Sequence, residues 1–166
     1  MVVFPEKQNV VLQVFDALRE KKCTFSSAES CTGGNIAHLI TVIPGSSEVF
    51  VGSVVSYATR VKIETLGVPS EVIDGEGVVS CATAEAMAKG VRRLLATDYA
   101  VATTGYAGPT GGTEQDPVGT VCIAVSSEDK TISKKCMFRN DRVGNINLAT
   151  ISAYEMLLDL INNNTL

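Results

Sequence analysis

Apolar residues in this chain switch repeatedly between two spacings: the near-continuous β-branched runs of buried strands and the recurrence every three to four residues of amphipathic helices. The alternation runs from end to end with no internal repeat, low-complexity tract or linker. It dictates an α/β sandwich, because each helix must bury its apolar stripe against a sheet face. Val11, Val14, Phe15 and Leu18 mark a first helix, and Cys23-Thr24-Phe25 reads as extended chain. Ile36, Ala37, Leu39, Ile40 and Ile43 recur at helical spacing until Pro44 ends the pattern. Val49–Tyr57 reads as a strand, Arg60–Leu66 as a short helix closed by Gly67, and Ser80 as the cap of a helix striped by Ala84, Met87, Ala88, Val91, Leu94 and Leu95. Asp98–Thr103 is a further strand, Thr120–Val125 and Thr131–Phe138 form a hairpin, and Ile146, Ala149, Ala153, Met156, Leu157, Leu160 and Ile161 line a final helix.

A chain of 166 residues, 45% hydrophobic and 19% charged, suits one domain that buries roughly 70% of its unfolded surface without staples. Cys23, Cys31, Cys81, Cys122 and Cys136 are odd in number and form no Cys-x-x-Cys pair. Neither a disulfide framework nor a zinc site is indicated, and a reducing, cytoplasmic location is expected. Met1–Lys7 turns polar too early for a signal peptide, no apolar run reaches the roughly 20 residues that span a bilayer, and the Asn163-Asn164-Thr165 sequon is read as accidental. A net charge of −4 with scattered basic pairs excludes a broad nucleic-acid footprint, which needs clustered Lys and Arg.

The nonapeptide Ser26–Gly34 places Ser30 between an extended run and a helix. If that helix begins near Cys31, the first-turn N–H groups of Thr32, Gly33 and Gly34 face whatever occupies its mouth, and both an alkoxide and an oxyanion gain there. A plain capping role is the competing reading. Three connections following predicted strands carry reactive side chains: Glu29-Ser30-Cys31, Tyr57–Lys62 and the glycine-rich Thr104–Gly112. Parallel strands bring such connections to one sheet edge, where ligands of open α/β sheets bind.

A serine nucleophile needs a base. His38, the single histidine, lies about two helical turns from Ser30, on the order of 10–12 Å, and is read as a helix-face residue. Lysine serves as base when burial lowers its pKa, so Lys62 is the candidate, with Tyr57 relaying a proton or orienting the amine; a solvated helix lysine is the alternative. Cys31, also at a helix mouth, competes as nucleophile, and position alone does not separate it from Ser30. The backbone of the Gly105, Gly108, Gly111 and Gly112 loop suits a phosphate or sugar, or merely a surface turn, and Arg142 suits a bidentate anion contact or a solvent-facing role.

Ala28-Glu-Ser-Cys-Thr-Gly-Gly34, Pro44-Gly-Ser-Ser47, Tyr57 with Lys62, Leu66-Gly-Val68, Thr104-Gly-Tyr-Ala-Gly-Pro109, Gly112-Thr113, Pro117-Val-Gly-Thr-Val121 and Asp141-Arg142 together resemble, in order, the CinA carboxy-terminal domain family. The resemblance runs from about residue 8 to residue 161 and treats residues 1–166 as a single amidohydrolase-type domain. It implies a three-layer α/β/α sandwich with a mixed, mostly parallel sheet, similar to anticodon-binding domains. It further implies a homo-oligomer and an amidase that hydrolyses nicotinamide mononucleotide to nicotinic acid mononucleotide and ammonia in pyridine-nucleotide recycling. Carried over by position, Ser30 is the nucleophile, Lys62 the base and Tyr57 its auxiliary. Thr32, Gly33, Gly34, Thr104, Gly105, Gly108, Gly111, Gly112 and Arg142 contact a small nucleotide, with no cofactor or metal, no nucleic acid and no membrane. The chain departs from the family pattern at Ala58-Thr59 (Ser-Asn), at Asn140 (Gly) and at Tyr106 (often aliphatic), which bears on substrate preference. A catalytically silent nucleotide-binding or regulatory module, tied to competence or DNA damage, is the alternative function.

Overall fold

The structure is a computed structural model and describes residues 9–163; Met1–Lys7 and the sequon residues Asn164 and Thr165 lie outside them. Helix α1 (Asn9–Lys21) leads into β1 (Phe25–Glu29), α2 (Asn35–Thr41), a 3₁₀ turn (Ser46–Glu48), β2 (Phe50–Val55), α3 (Thr59–Glu64), α4 (Ser70–Glu76) and α5 (Cys81–Leu95). Strands β3 (Tyr99–Gly105), β4 (Thr120–Ser126) and β5 (Thr131–Met137) and helix α6 (Arg142–Asn163) complete the order. Helices flank both faces of one five-stranded sheet ordered β2-β1-β3-β4-β5.

The sheet is mixed but not mostly parallel, which corrects the expectation. β1 pairs parallel with β2 and β3, whereas β3–β4 and β4–β5 are antiparallel. Parallel neighbours need a helical crossover. The β3–β4 connection is the glycine-rich loop, and β4–β5 is a tight turn, so neither can return the chain for a parallel pairing.

Side-chain size sorts the two faces. Phe25, Val101, Val121, Ile123 and Val125 pack with residues of α1, α2 and α6, while Ala28, Ala100, Ala102, Cys122 and Ala124 meet α5. Small residues on the second face let α5 seat closely, with Ala84, Met87, Ala88 and Val91 buried there. Leu94 of the expected stripe is instead 50% exposed. Ser80 caps α5 as expected, its Oγ accepting from Thr83 N at 3.1 Å.

β1 begins later than the apolar signal suggested because its interior is serine. Ser26 and Ser27 are fully buried, and their hydroxyls are satisfied by Thr97 and Ser53. The following helix starts at Asn35 rather than near Cys31, since Gly33 and Gly34 adopt positive φ and extend the turn. The mouth of α2 is occupied by the fully buried Glu29 carboxylate. Its Oε2 accepts from Thr32 Oγ1 (2.7 Å), Gly34 N (2.9 Å) and Ile36 N (3.1 Å), and its Oε1 from Ala37 N (3.0 Å), Ser27 Oγ (3.3 Å) and Ser53 Oγ (3.3 Å). The helix N–H groups expected to serve Ser30 thus serve its neighbour. No described helix is long and apolar enough to cross a membrane.

Two substitutions test this scaffold. Glu29→Gln replaces one acceptor oxygen by an NH₂ that opposes N–H donors, and urea denaturation is expected to show a loss of about 2–4 kcal/mol. Gly90→Ala, ordinarily stabilising in a helix by roughly 0.5–1 kcal/mol, would place a Cβ 2.1 Å from the Leu66 carbonyl behind α3. A net loss of about 2 kcal/mol is expected in the same assay.

Candidate active site

Strands β1, β2 and β3 run parallel, so their carboxyl ends share one edge, in register at Glu29, Val55 and Thr103. The ladder continues one step further: Ser30 N donates to Thr103 O (3.0 Å) and Ser56 N to Glu29 O (2.8 Å). Those two bonds fix the backbones that carry Ser30 and lead to Lys62. Ser30 leaves the central strand at the edge of a cleft of about 240 Å³, lined among others by Cys31, Tyr57, Lys62, Thr104, Tyr106 and Arg142.

Lys62 is not a surface residue. It sits on α3 only 1% exposed, and its Nζ donates to Ser30 Oγ (3.0 Å), Ser56 O (2.6 Å) and Tyr57 O (3.4 Å). None of the ion pairs among the described residues involves it. Burial therefore lowers the Lys62 pKa below the ordinary lysine range, opposed by the neighbouring Cys31. As a neutral amine Lys62 keeps two N–H donors for the two carbonyls and turns its lone pair to the Ser30 hydroxyl, which then becomes the donor. Three oxygens around one amine suit either protonation state, as proton exchange with a serine requires.

Cys31 is set differently. Its thiol is buried, and desolvation raises its pKa to about 12, more than its own backbone N–H, Thr103 and Lys62 lower it. A thiol held that high carries almost no thiolate near neutral pH.

The remaining expected residues divide into two groups. Tyr57, Thr104, Gly105 and Arg142 line the cleft with Ser30 and Lys62. Tyr57 is 61% exposed; its carbonyl meets Lys62, while its hydroxyl accepts from Arg142 Nη2 at 3.2 Å. Arg142 Nη1 donates to Gly108 O at 2.5 Å, so the guanidinium ties the glycine loop to Tyr57 across the cleft mouth. Thr104 Oγ1 donates to Val78 O (2.8 Å), and Gly105 must lack a side chain, since a Cβ there would lie 2.6 Å from Thr120 O. Thr32 is turned inward, its hydroxyl shared between Glu29 and Thr103. Thr32, Gly33 and Gly34 border a shallower depression with exposed His38 and Val143, outside the main cleft. Gly111 and Gly112 lie in the exposed part of the loop and do not line the cleft.

Sequence reasoning missed the Ser56 carbonyl that holds Lys62 and the walls Val78 and Val79, while Ala107, Thr110 and Thr59 fell within connections it singled out without being given a contact of their own. Ser56 carried a faint signal, as the residue completing the β2 pattern just before Tyr57. The walls carried none, because their place follows from the packing of α5 and the loop.

The CinA C-terminal domain family matches this chain over residues 7–161. A CinA-like protein of Synechococcus sp. is 50% identical over 121 residues, which are 73% of this chain and 28% of that protein. A CinA-like protein of Synechocystis sp. is 44% identical over 155 residues, 93% of this chain and 37% of that protein. The chain thus spans little more than a third or less of the length of these curated relatives. The crystal structure of the competence/damage inducible protein CihA from Agrobacterium tumefaciens superposes with a TM-score of 0.92 at 33% identity, covering 98% of this chain and all of the other. The family match spans nearly the whole chain and the fold agrees with that of the solved relative: the chain belongs to the CinA C-terminal domain family.

Proposed function

We propose that this domain is a serine-lysine amidohydrolase that converts the carboxamide of nicotinamide mononucleotide to the carboxylate and ammonia. The observation that carries the reading is the buried Lys62 amine, 3.0 Å from Ser30 Oγ and without a carboxylate partner among the described residues. Neutral Lys62 takes the Ser30 proton as Oγ attacks the carboxamide carbon, and the resulting ammonium returns a proton to the departing nitrogen. Ammonia leaves, and an ester on Ser30 remains. Lys62 then takes a proton from water, which attacks the ester, and returns it to the departing Ser30 oxygen, releasing nicotinic acid mononucleotide and restoring the Ser30 hydroxyl and the neutral amine.

The oxyanion requires donors outside α2, whose mouth Glu29 fills. The Cys31 amide follows the nucleophile directly and, among the described residues, donates to no backbone carbonyl; released from its own thiol, it is a candidate donor. Tyr106, Val78 and Val79 offer apolar surface to the pyridine ring. Arg142 receives the phosphate, with two of its five N–H groups engaged by Gly108 and Tyr57 and the others available. Tyr57 acts by holding Arg142 and, through its carbonyl, Lys62. Five free cysteines fit a reducing, cytoplasmic setting.

An ammonia-release assay with nicotinamide mononucleotide tests the reading. Ser30→Ala and Lys62→Ala are each expected to lower kcat by about 10⁴-fold or more while the nucleotide still binds. Binding without turnover by the wild type would instead indicate a silent nucleotide-binding module. The activity of the wild type should rise with pH through the Lys62 pKa, at a midpoint below the ordinary lysine value, because the protonated amine cannot accept the serine proton. The stability linkage has the same sign: between the lowered folded pKa and the unfolded one, the unfolded chain binds the extra proton, so stability also rises with pH there. Treatment with a small thiol alkylating reagent, and Cys31→Ala, should leave kcat within about threefold of the untreated protein; inactivation by either would transfer the nucleophile to Cys31.

A further inference from the structure

Asn145, a buried residue in the first turns of α6, joins that helix to the glycine loop. It is 1% exposed, and both ends of its side-chain amide are hydrogen-bonded. Nδ2 donates to Ala107 O (3.0 Å) and Asn140 O (3.0 Å), and Oδ1 accepts from Asn140 N (3.1 Å). This is not a helix cap, because Asp141 already fills that role: its Oδ1 accepts from Gly144 N (2.7 Å) and its carbonyl from Asn145 N (2.8 Å). The Asn145 side chain instead reaches out of the helix in two directions, to the segment just before Arg142 and to the cleft wall.

The two bonded segments converge on the same clamp. Ala107 lines the cleft, and the next carbonyl, that of Gly108, accepts from Arg142. Successive carbonyls of the loop are thus held from α6, one by a buried neutral amide and one by the guanidinium at the mouth. An exposed arginine on a long side chain holds a fixed reach only if both its backbone and its acceptor are fixed. We infer that Asn145 is a positioning residue for substrate affinity: by locking Ala107 to Asn140 it sets the span between Arg142 and the glycine loop, and so the clamp that receives the anionic end of the substrate. The identity of that anion, a phosphate monoester, rests on the amidase reading. The Asn145 side chain bonds to Ala107 and Asn140 and to neither Ser30, on the turn after β1, nor Lys62, on α3, so the chemical step is left alone.

Asn145→Asp keeps size and removes both donors, and Asn145→Ser, which keeps one hydroxyl, replaces it if the aspartate variant does not fold. Kinetics with nicotinamide mononucleotide are expected to show KM raised about tenfold or more, with kcat within about twofold of the wild type. In the Arg142→Ala background the same change should add almost nothing to KM, since both act through one contact. Hydrogen exchange should quicken at residues 106–112 and stay as in the wild type at residues 30–36. A fall in kcat at unchanged KM, effects on KM that add to those of Arg142→Ala, or unaltered exchange in the loop would each overturn the inference. If the wild type releases no ammonia, the amidase reading falls by itself. Calorimetric titration of the four proteins with the nucleotide then decides the clamp, equal Kd values counting against it, and if the wild type does not bind, the loop exchange decides alone.

Discussion

The whole cleft hangs on one buried carboxylate. Glu29 ends the central strand, and its two oxygens gather the hydroxyls of Ser27, Thr32 and Ser53 and the amides of Gly34, Ile36 and Ala37. Those bonds stitch strand, turn and helix around a single charge, so the five-residue excursion between β1 and α2 has one shape. Ser30 is the first residue of that excursion, and its aim follows from the carboxylate beside it. A carboxylate at a helix mouth also gains from the aligned peptide dipoles, which offsets part of the cost of burying it.

Lys62 supplies the second constraint, and the two are linked through a single residue, Ser56. Glu29 O accepts from Ser56 N, and Ser56 O accepts from the Lys62 amine, which reaches Ser30 Oγ. Nucleophile and base are therefore spaced by the β1–β2 ladder rather than by flexible side chains. This preorganisation is what a serine-lysine pair requires, because a base two ångströms out of place loses most of its effect. Leu66, just beyond α3, packs closely against Gly90 of α5, and Lys62 is buried.

Much of this was legible in the sequence, and the failures have physical causes. Helix stripes such as Val11, Val14, Phe15 and Leu18 read correctly because burial on one face leaves a periodic trace. β1 was displaced because two buried serines look like loop, their polarity being cancelled only by partners 26 and 71 residues away. The start of α2 was misplaced because paired glycines fit either a helix mouth or the turn before it. The edge that unites Ser30, Lys62 and Thr104 was legible only on the condition that their strands run parallel, which the structure supplies, and the burial of Lys62 was not legible, since spacing alone favours a solvated lysine. Asn145 left no trace at all: an asparagine near a helix start is ordinary until its amide is seen to bridge two loops.

The central claim is that Ser30 carries the acyl group. Rapid acid quench of the protein during turnover of nicotinamide mononucleotide, followed by peptide mass spectrometry, tests it directly. The account predicts a nicotinate-nucleotide ester on Ser30, within the peptide that also contains Cys31, resolved to the serine by fragmentation. A thioester on Cys31, or full turnover with no covalent adduct at any time point, would contradict it.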